Sequence, residues 1–246
     1  MEGDLAALDW RSPWLAGWQE PGERVAARVA RGSSVAQALN AEPGSPVRFV
    51  AQSRLPEGEP YERFVFECAA CPTRDNLHDF YNGLCWLRMP RAKRRLNALQ
   101  AQQIDRDGIG GRRGPVRDAI TVFDENGALL DAPPPLWDAL LARDWQALFI
   151  GLRPLWAQAR VRVFGHALLE KLARPRKDLT AHVWAEPCPL ATPEEADAWL
   201  SLRCTPQRLA DKPFTPLPVL GIPGWWPENQ NFSWYADSTV FRPRRR

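Results

Sequence analysis

The chain has 246 residues, 45% of them hydrophobic and 25% charged, and a formal net charge of only +3. Twelve Trp and ten Phe supply ample apolar area, which excludes a disordered chain, and no run approaches the ~18 apolar residues that a membrane span needs. Twenty-four Pro, about twice the usual ~5% share, favour short elements bounded by Pro-containing loops.

The N-terminus, MEGDLAALDWRSPW, carries acids and no basic region ahead of an apolar core. It does not read as a signal peptide, so a cytoplasmic location is expected. Trp10, Trp14 and Trp18 recur every four residues, a spacing that puts three indoles on one helical face. Ser34 to Ala41 is a short helix candidate. Val47 to Ala51 alternates and reads as a strand, and Tyr61 to Cys68 leans towards helix.

The five cysteines (Cys68, Cys71, Cys85, Cys188 and Cys204) form an odd, sparse set, unlike a disulfide framework. Cys68 and Cys71 have the spacing of a zinc half-site or a redox pair. No second close pair follows, and no His stands at finger spacing, so incidental thiols are the expected reading.

Thr73 to Gln103 is the densest stretch in chemistry. Thr73 is a candidate N-cap, with Asp75 in the first turn. Leu77, Phe80, Tyr81, Leu84 and Leu87 follow the helical period, and Asp75, His78, Asp79 and Asn82 share another face. Gly83 inside this helix costs roughly 1 kcal/mol, which suggests close approach of another backbone or a ligand there. Pro90 ends the helix and suits the first turn of a second one, with Arg91, Lys93, Arg94 and Arg95 on its outer turns. From Arg88 to Arg117 nine basic residues stand against two acids, a net +7 that would attract a phosphate-bearing partner.

The Gly-rich basic loop at 107–115 lacks the phosphate-loop signature. Val116 to Phe123 reads as a strand, Asp124 to Gly127 as a turn, and Ala128 to Leu130 as the returning strand of a hairpin. Pro133 to Leu152 reads as a helix and Val161 to Phe164 as a short strand. His166 opens another helix, where Glu170 lies one turn on and can pair with it. Leu179 to Glu186 alternates as a half-buried strand carrying His182. Thr192 caps a helix with Pro193 at its first position. The end of the chain, rich in Pro and Trp, is expected to wrap over the body as an irregular ordered tail. These elements predict an α+β single domain over 1–246, with helices around a small, mostly antiparallel sheet.

At HDFYNGLCWLRMPRAKRRLNAL the chain resembles an uncharacterised, mostly proteobacterial family of unknown function. The likeness continues in order through RDAITVFDENGALL, FGHALLEKL, LTAHVW and the closing PLPVLGIPGWW and VFRP, from about residue 45 onwards. It implies a bacterial protein with one family domain, and implies no activity, substrate or cofactor. A second likeness, of Asn82 to Pro90 to a stretch of HNH-type nucleases, fails on spacing. His78 stands only four residues before Asn82, too close for the metal-binding loop of that motif.

Two functional classes follow. In the first the protein is a hydrolase acting on a phosphodiester or other anionic substrate. His78, Asp79, Asn82, His166 and Glu170 supply acid–base chemistry or hold a divalent metal, and Arg91, Lys93, Arg94 and His182 grip the substrate. In the second it is a non-enzymatic module that binds nucleic acid or protein through the basic 88–117 region, and the His and Asn face is structural. A Cys85–His78 pair is a further, minor possibility on the same helix.

Overall fold

The computed structural model describes residues 2–108 and 114–244. In chain order the elements are α1 (Glu2–Ala6), α2 (Gln19–Val29), α3 (Val35–Asn40), β1 (Arg48–Ala51), α4 (Tyr61–Cys68), β2 (Ala70–Thr73), α5 (Leu77–Arg88) and α6 (Pro90–Asp107). There follow α7 (Pro115–Asn126), β3 (Gly127–Asp131), α8 (Pro134–Ala142), β4 (Arg160–Val163), α9 (His166–Leu172), β5 (Thr180–Trp184), α10 (Pro193–Arg203), α11 (Pro206–Ala210) and β6 (Phe214–Pro218). The fold is α+β. The chain divides into two compact units, each drawn from three separate stretches.

The first unit comprises Met1–Trp10, Gly17–Val122 and Ala191–Lys212. Its centre is α5, whose residues from Asp79 to Trp86 are all buried. At Gly83 a Cβ would strike the side chain of Leu39 on α3, so the glycine is required by close helix approach. β1 and β2 pair in parallel, with Phe49 opposite Cys71. The buried Glu42 carboxylate accepts from both Arg24 and Arg28 and ties α2 to the end of α3. Met89 leaves helical geometry (φ −128°, ψ 52°), and Pro90 starts α6 without needing an N–H partner.

The second unit comprises Arg11–Ala16, Phe123–Leu190 and Pro213–Arg246. Its four-stranded sheet has the order β4-β3-β5-β6. β3 pairs antiparallel with β4 and parallel with β5, and β5 pairs antiparallel with β6. Phe123 stacks on Phe164 and Phe214, both at 5.2 Å between ring centres, and meets Trp184 edge-on. The closing segment is ordered by polar pins. Buried Asn229 donates to the carbonyls of Leu220 and Ile222, and the Tyr235 hydroxyl donates to Gly221.

Several expectations from local pattern are corrected. The hairpin over 116–130 is instead helix α7 running directly into β3. Pro115 starts that helix, and Val116, Ala119, Ile120 and Phe123 are buried at helical spacing, which outweighs the β-branched composition. The N-cap of α5 is Asn76, which accepts from the Asp79 N–H at 2.8 Å; Thr73 closes β2. The 133–152 helix stops at Arg143, in left-handed conformation (φ 54°), before a separate π-helical turn at Ala147–Gly151. The three early indoles do not share a helical face. Trp10 packs on Phe80 in the first unit, and Trp14 on Trp225 in the second. The closing segment begins with a paired strand, β6. The basic loop with Arg112 and Arg113 lies outside the described residues. No helix among the described residues is long and apolar enough to cross a membrane.

Candidate functional site

The expected site begins at α5. Asp79, buried at 6% exposure, accepts three bonds from Arg74: from its backbone N–H at 2.6 Å, its Nε at 3.0 Å and its Nη2 at 3.0 Å. Both carboxylate oxygens are thereby engaged in closing the turn before the helix. His78, its chain neighbour, is half-buried.

One turn on, Asn82 is also buried. Its carbonyl oxygen accepts from the Lys93 Nζ at 2.9 Å, and its Nδ2 donates to the Tyr61 hydroxyl at 3.2 Å. That hydroxyl lies 3.1 Å from the Cys71 sulfur. The Lys93 ammonium also stands 5.5 Å from the centre of the Trp86 ring, a cation–π distance. Lys93 was expected on an outer turn; it is inside, at 4% exposure. The chain Lys93–Asn82–Tyr61–Cys71 joins α6, α5, α4 and β2. Burial pushes the Cys71 thiol up to about 11 and the Tyr61 hydroxyl well above its usual range, so both are protonated at neutral pH. Cys85 is wholly buried, which removes it from solvent-borne substrates.

Four of the seven described basic residues between Arg88 and Arg117, Lys93 among them, have internal partners. Arg88 pairs with Glu20 at 3.0 Å, Arg95 donates to the Cys204 carbonyl at 2.9 Å, and Arg106 pairs with Asp107 at 2.7 Å. Arg91 and Arg94 are exposed, and neither enters an ion pair among the described residues. The positive end of α6 is itself occupied. The backbone N–H groups of Arg91 and Ala92 donate to the Asp197 carboxylate of α10 at 3.0 and 2.8 Å. Asp197 was not among the expected residues, and nothing local marks it.

The remaining candidates belong to the second unit. His166 opens α9 and is buried, with its Nδ1 3.6 Å from the Asp124 carboxylate, while Glu170 is half-buried one turn on. Asp124 is thus a neighbour of His166 that the spacing did not name. The two segments meet through Gly165, where a Cβ would strike the backbone of Glu125 and Asn126. His182 sits in β5, in register with Gly127 on one side and Pro216 on the other, and its ring meets Phe214 edge-on at 6.5 Å. Among the described residues, no group of three or more His, Cys, Asp or Glu side chains is arranged to hold a metal ion.

The fold is α+β, with a polar cluster joining α4, α5, α6 and β2 and a basic helix whose start is occupied by Asp197. The chain belongs to DUF3025, a protein family of unknown function, whose model matches residues 47–245. No curated protein and no solved structure matches it.

Proposed function

We propose that the protein is a binding module for a phosphate-bearing polymer, with nucleic acid as the partner class, and that the His78–Asp79–Asn82 face is structural. The observation that carries this reading is the commitment of the face's polar atoms. A hydrolytic site needs its acid, base or ligand atoms turned towards substrate. Here both Asp79 oxygens are held by Arg74, and the Asn82 oxygen by Lys93. The exposed guanidinium groups of Arg91 and Arg94 remain for phosphate contact, the role that Arg fills best.

The test is fluorescence anisotropy of a labelled oligonucleotide against rising salt. Binding that weakens steeply with salt, and is reduced in Arg91→Ala/Arg94→Ala, supports the module. No binding at low salt, or cleavage of the oligonucleotide that requires His78, would overturn it.

A further inference from the structure

We infer that the first unit holds a second ligand site, a groove between α3 and β1 that takes a compact, multiply charged anion. The groove has a volume of about 630 Å³, within the roughly 300–1,000 Å³ range of small-molecule sites. Arg48 and Arg54 line it from β1 and the turn that follows. Both are exposed, and neither enters an ion pair among the described residues, in contrast to Arg24, Arg28, Arg63, Arg74 and Arg88. The lining carries a single carboxylate, Asp75, against these two guanidinium groups. Two unpaired arginines at one concavity favour an anion with more than one charge.

The walls are tied to each other, so the groove is formed before any ligand arrives. The Asp75 carboxylate accepts the Val35 N–H at 2.7 Å and holds the start of α3 to the turn before α5. Ser34 and Gln37 cap each other across the first turn of α3. Asn40, at the other end, accepts the Phe49 N–H at 2.9 Å and donates to the Phe49 carbonyl at 2.7 Å. A preformed site loses less ordering entropy on binding.

The same bonds decide the shape of the ligand. Phe49 and Val47 show their backbone groups on one edge of the strand, the edge an added peptide would use. Asn40 satisfies Phe49, and the Ser45 hydroxyl both donates to the Val47 carbonyl and accepts its N–H. Strand addition is therefore blocked by side chains, as natural sheet edges often are. A small anion bound by guanidinium groups needs none of those backbone atoms. Such charge is carried by phosphorylated metabolites and by polycarboxylates alike.

The experiment is an amide-shift titration of the full chain with inorganic pyrophosphate and, separately, with citrate. The expected result is saturable shifts at amides of Ser34–Asn40 and Arg48–Arg54 with at least one probe. Affinity should fall about tenfold or more in Arg48→Ala/Arg54→Ala, in keeping with loss of charge-assisted bonds. It should stay within about twofold in Arg91→Ala/Arg94→Ala, since neither side chain lines the groove. Saturation by pyrophosphate alone assigns the phosphorylated class, and by citrate alone the carboxylates. Shifts that are scattered and do not saturate with either anion, or an unchanged affinity in Arg48→Ala/Arg54→Ala, would overturn the site. Oligonucleotide binding through α6 is read separately, so either site can fail without the other.

Discussion

The Lys93 ammonium donates to the Asn82 side-chain carbonyl at 2.9 Å, with both residues more than nine-tenths buried. A charged group in that position needs its partners, because an unpaired buried cation is costly. Asn82→Leu removes one acceptor from Lys93 and a donor from the Tyr61 hydroxyl. It should lower stability by about 1.5–3 kcal/mol, the range for hydrogen bonds to charged groups. Urea unfolding measures this, and a wild-type midpoint in the variant would show the cluster to be dispensable.

Gly165 and Gly151 make a matched pair. A Cβ at Gly165 meets backbone atoms of Glu125 and Asn126, which cannot swing aside, whereas at Gly151 the nearest atom is 4.0 Å away. Gly165→Ala should cost about 2–3 kcal/mol, as overpacking does. Gly151→Ala should be neutral or stabilising by up to about 1 kcal/mol through the unfolded chain. Thermal melts of the two variants give the comparison, and equal melting temperatures would contradict it.

Thiol reactivity separates the cysteines. Cys68 is exposed, and Cys71, Cys85, Cys188 and Cys204 are buried. Burial also pushes Cys71 up to about 11 and Cys204 up to about 12, so neither offers a thiolate near neutrality. A thiol-specific chromogenic reagent should label one cysteine in the native protein and five after denaturation. Rapid labelling of Cys71 in the native state would show that the Tyr61 contact opens readily.

Asp237 sets a pH dependence in the closing segment. Its carboxylate accepts from the Thr239 hydroxyl and from Lys177, and these hold its pKa down at about 2, from an ordinary 3.8. A lowered carboxylate pKa contributes stability that is present above the unfolded value and is lost as pH falls from near 4 towards 2. Carbon-detected titration of the side chain should place the midpoint near 2 in the wild type. Lys177→Ala should raise it, and a wild-type midpoint already near 4 would contradict the contact.

Local signals disclosed much of this fold. The alternation at β1, Pro90 at the start of α6 and the Thr192 cap with Pro193 behind it each act within a few residues, and each is found as the pattern suggests. Gly83 announced a close approach, and what approaches is the Leu39 side chain rather than a backbone or a ligand. α7 carries a strand-like composition in Val116, Ile120, Thr121 and Val122, and the burial of Val116, Ala119, Ile120 and Phe123 at every third or fourth position is what reveals the helix. The partners at the expected site were hidden for a different reason. Asp197 reaches the start of α6 from 106 residues beyond Arg91, and Asn82 meets Lys93 only because the chain breaks at Met89. Nothing in the spacing of polar residues distinguishes a face turned to solvent from one sealed by another helix.

The central claim, a binding module whose α5 polar face is structural, is tested most directly by following binding and cleavage of one labelled oligonucleotide together. The expected result is salt-sensitive binding that Arg91→Ala/Arg94→Ala reduces and His78→Ala leaves unchanged, with the oligonucleotide intact throughout. Cleavage by the wild type that disappears in His78→Ala, with binding retained, would contradict it.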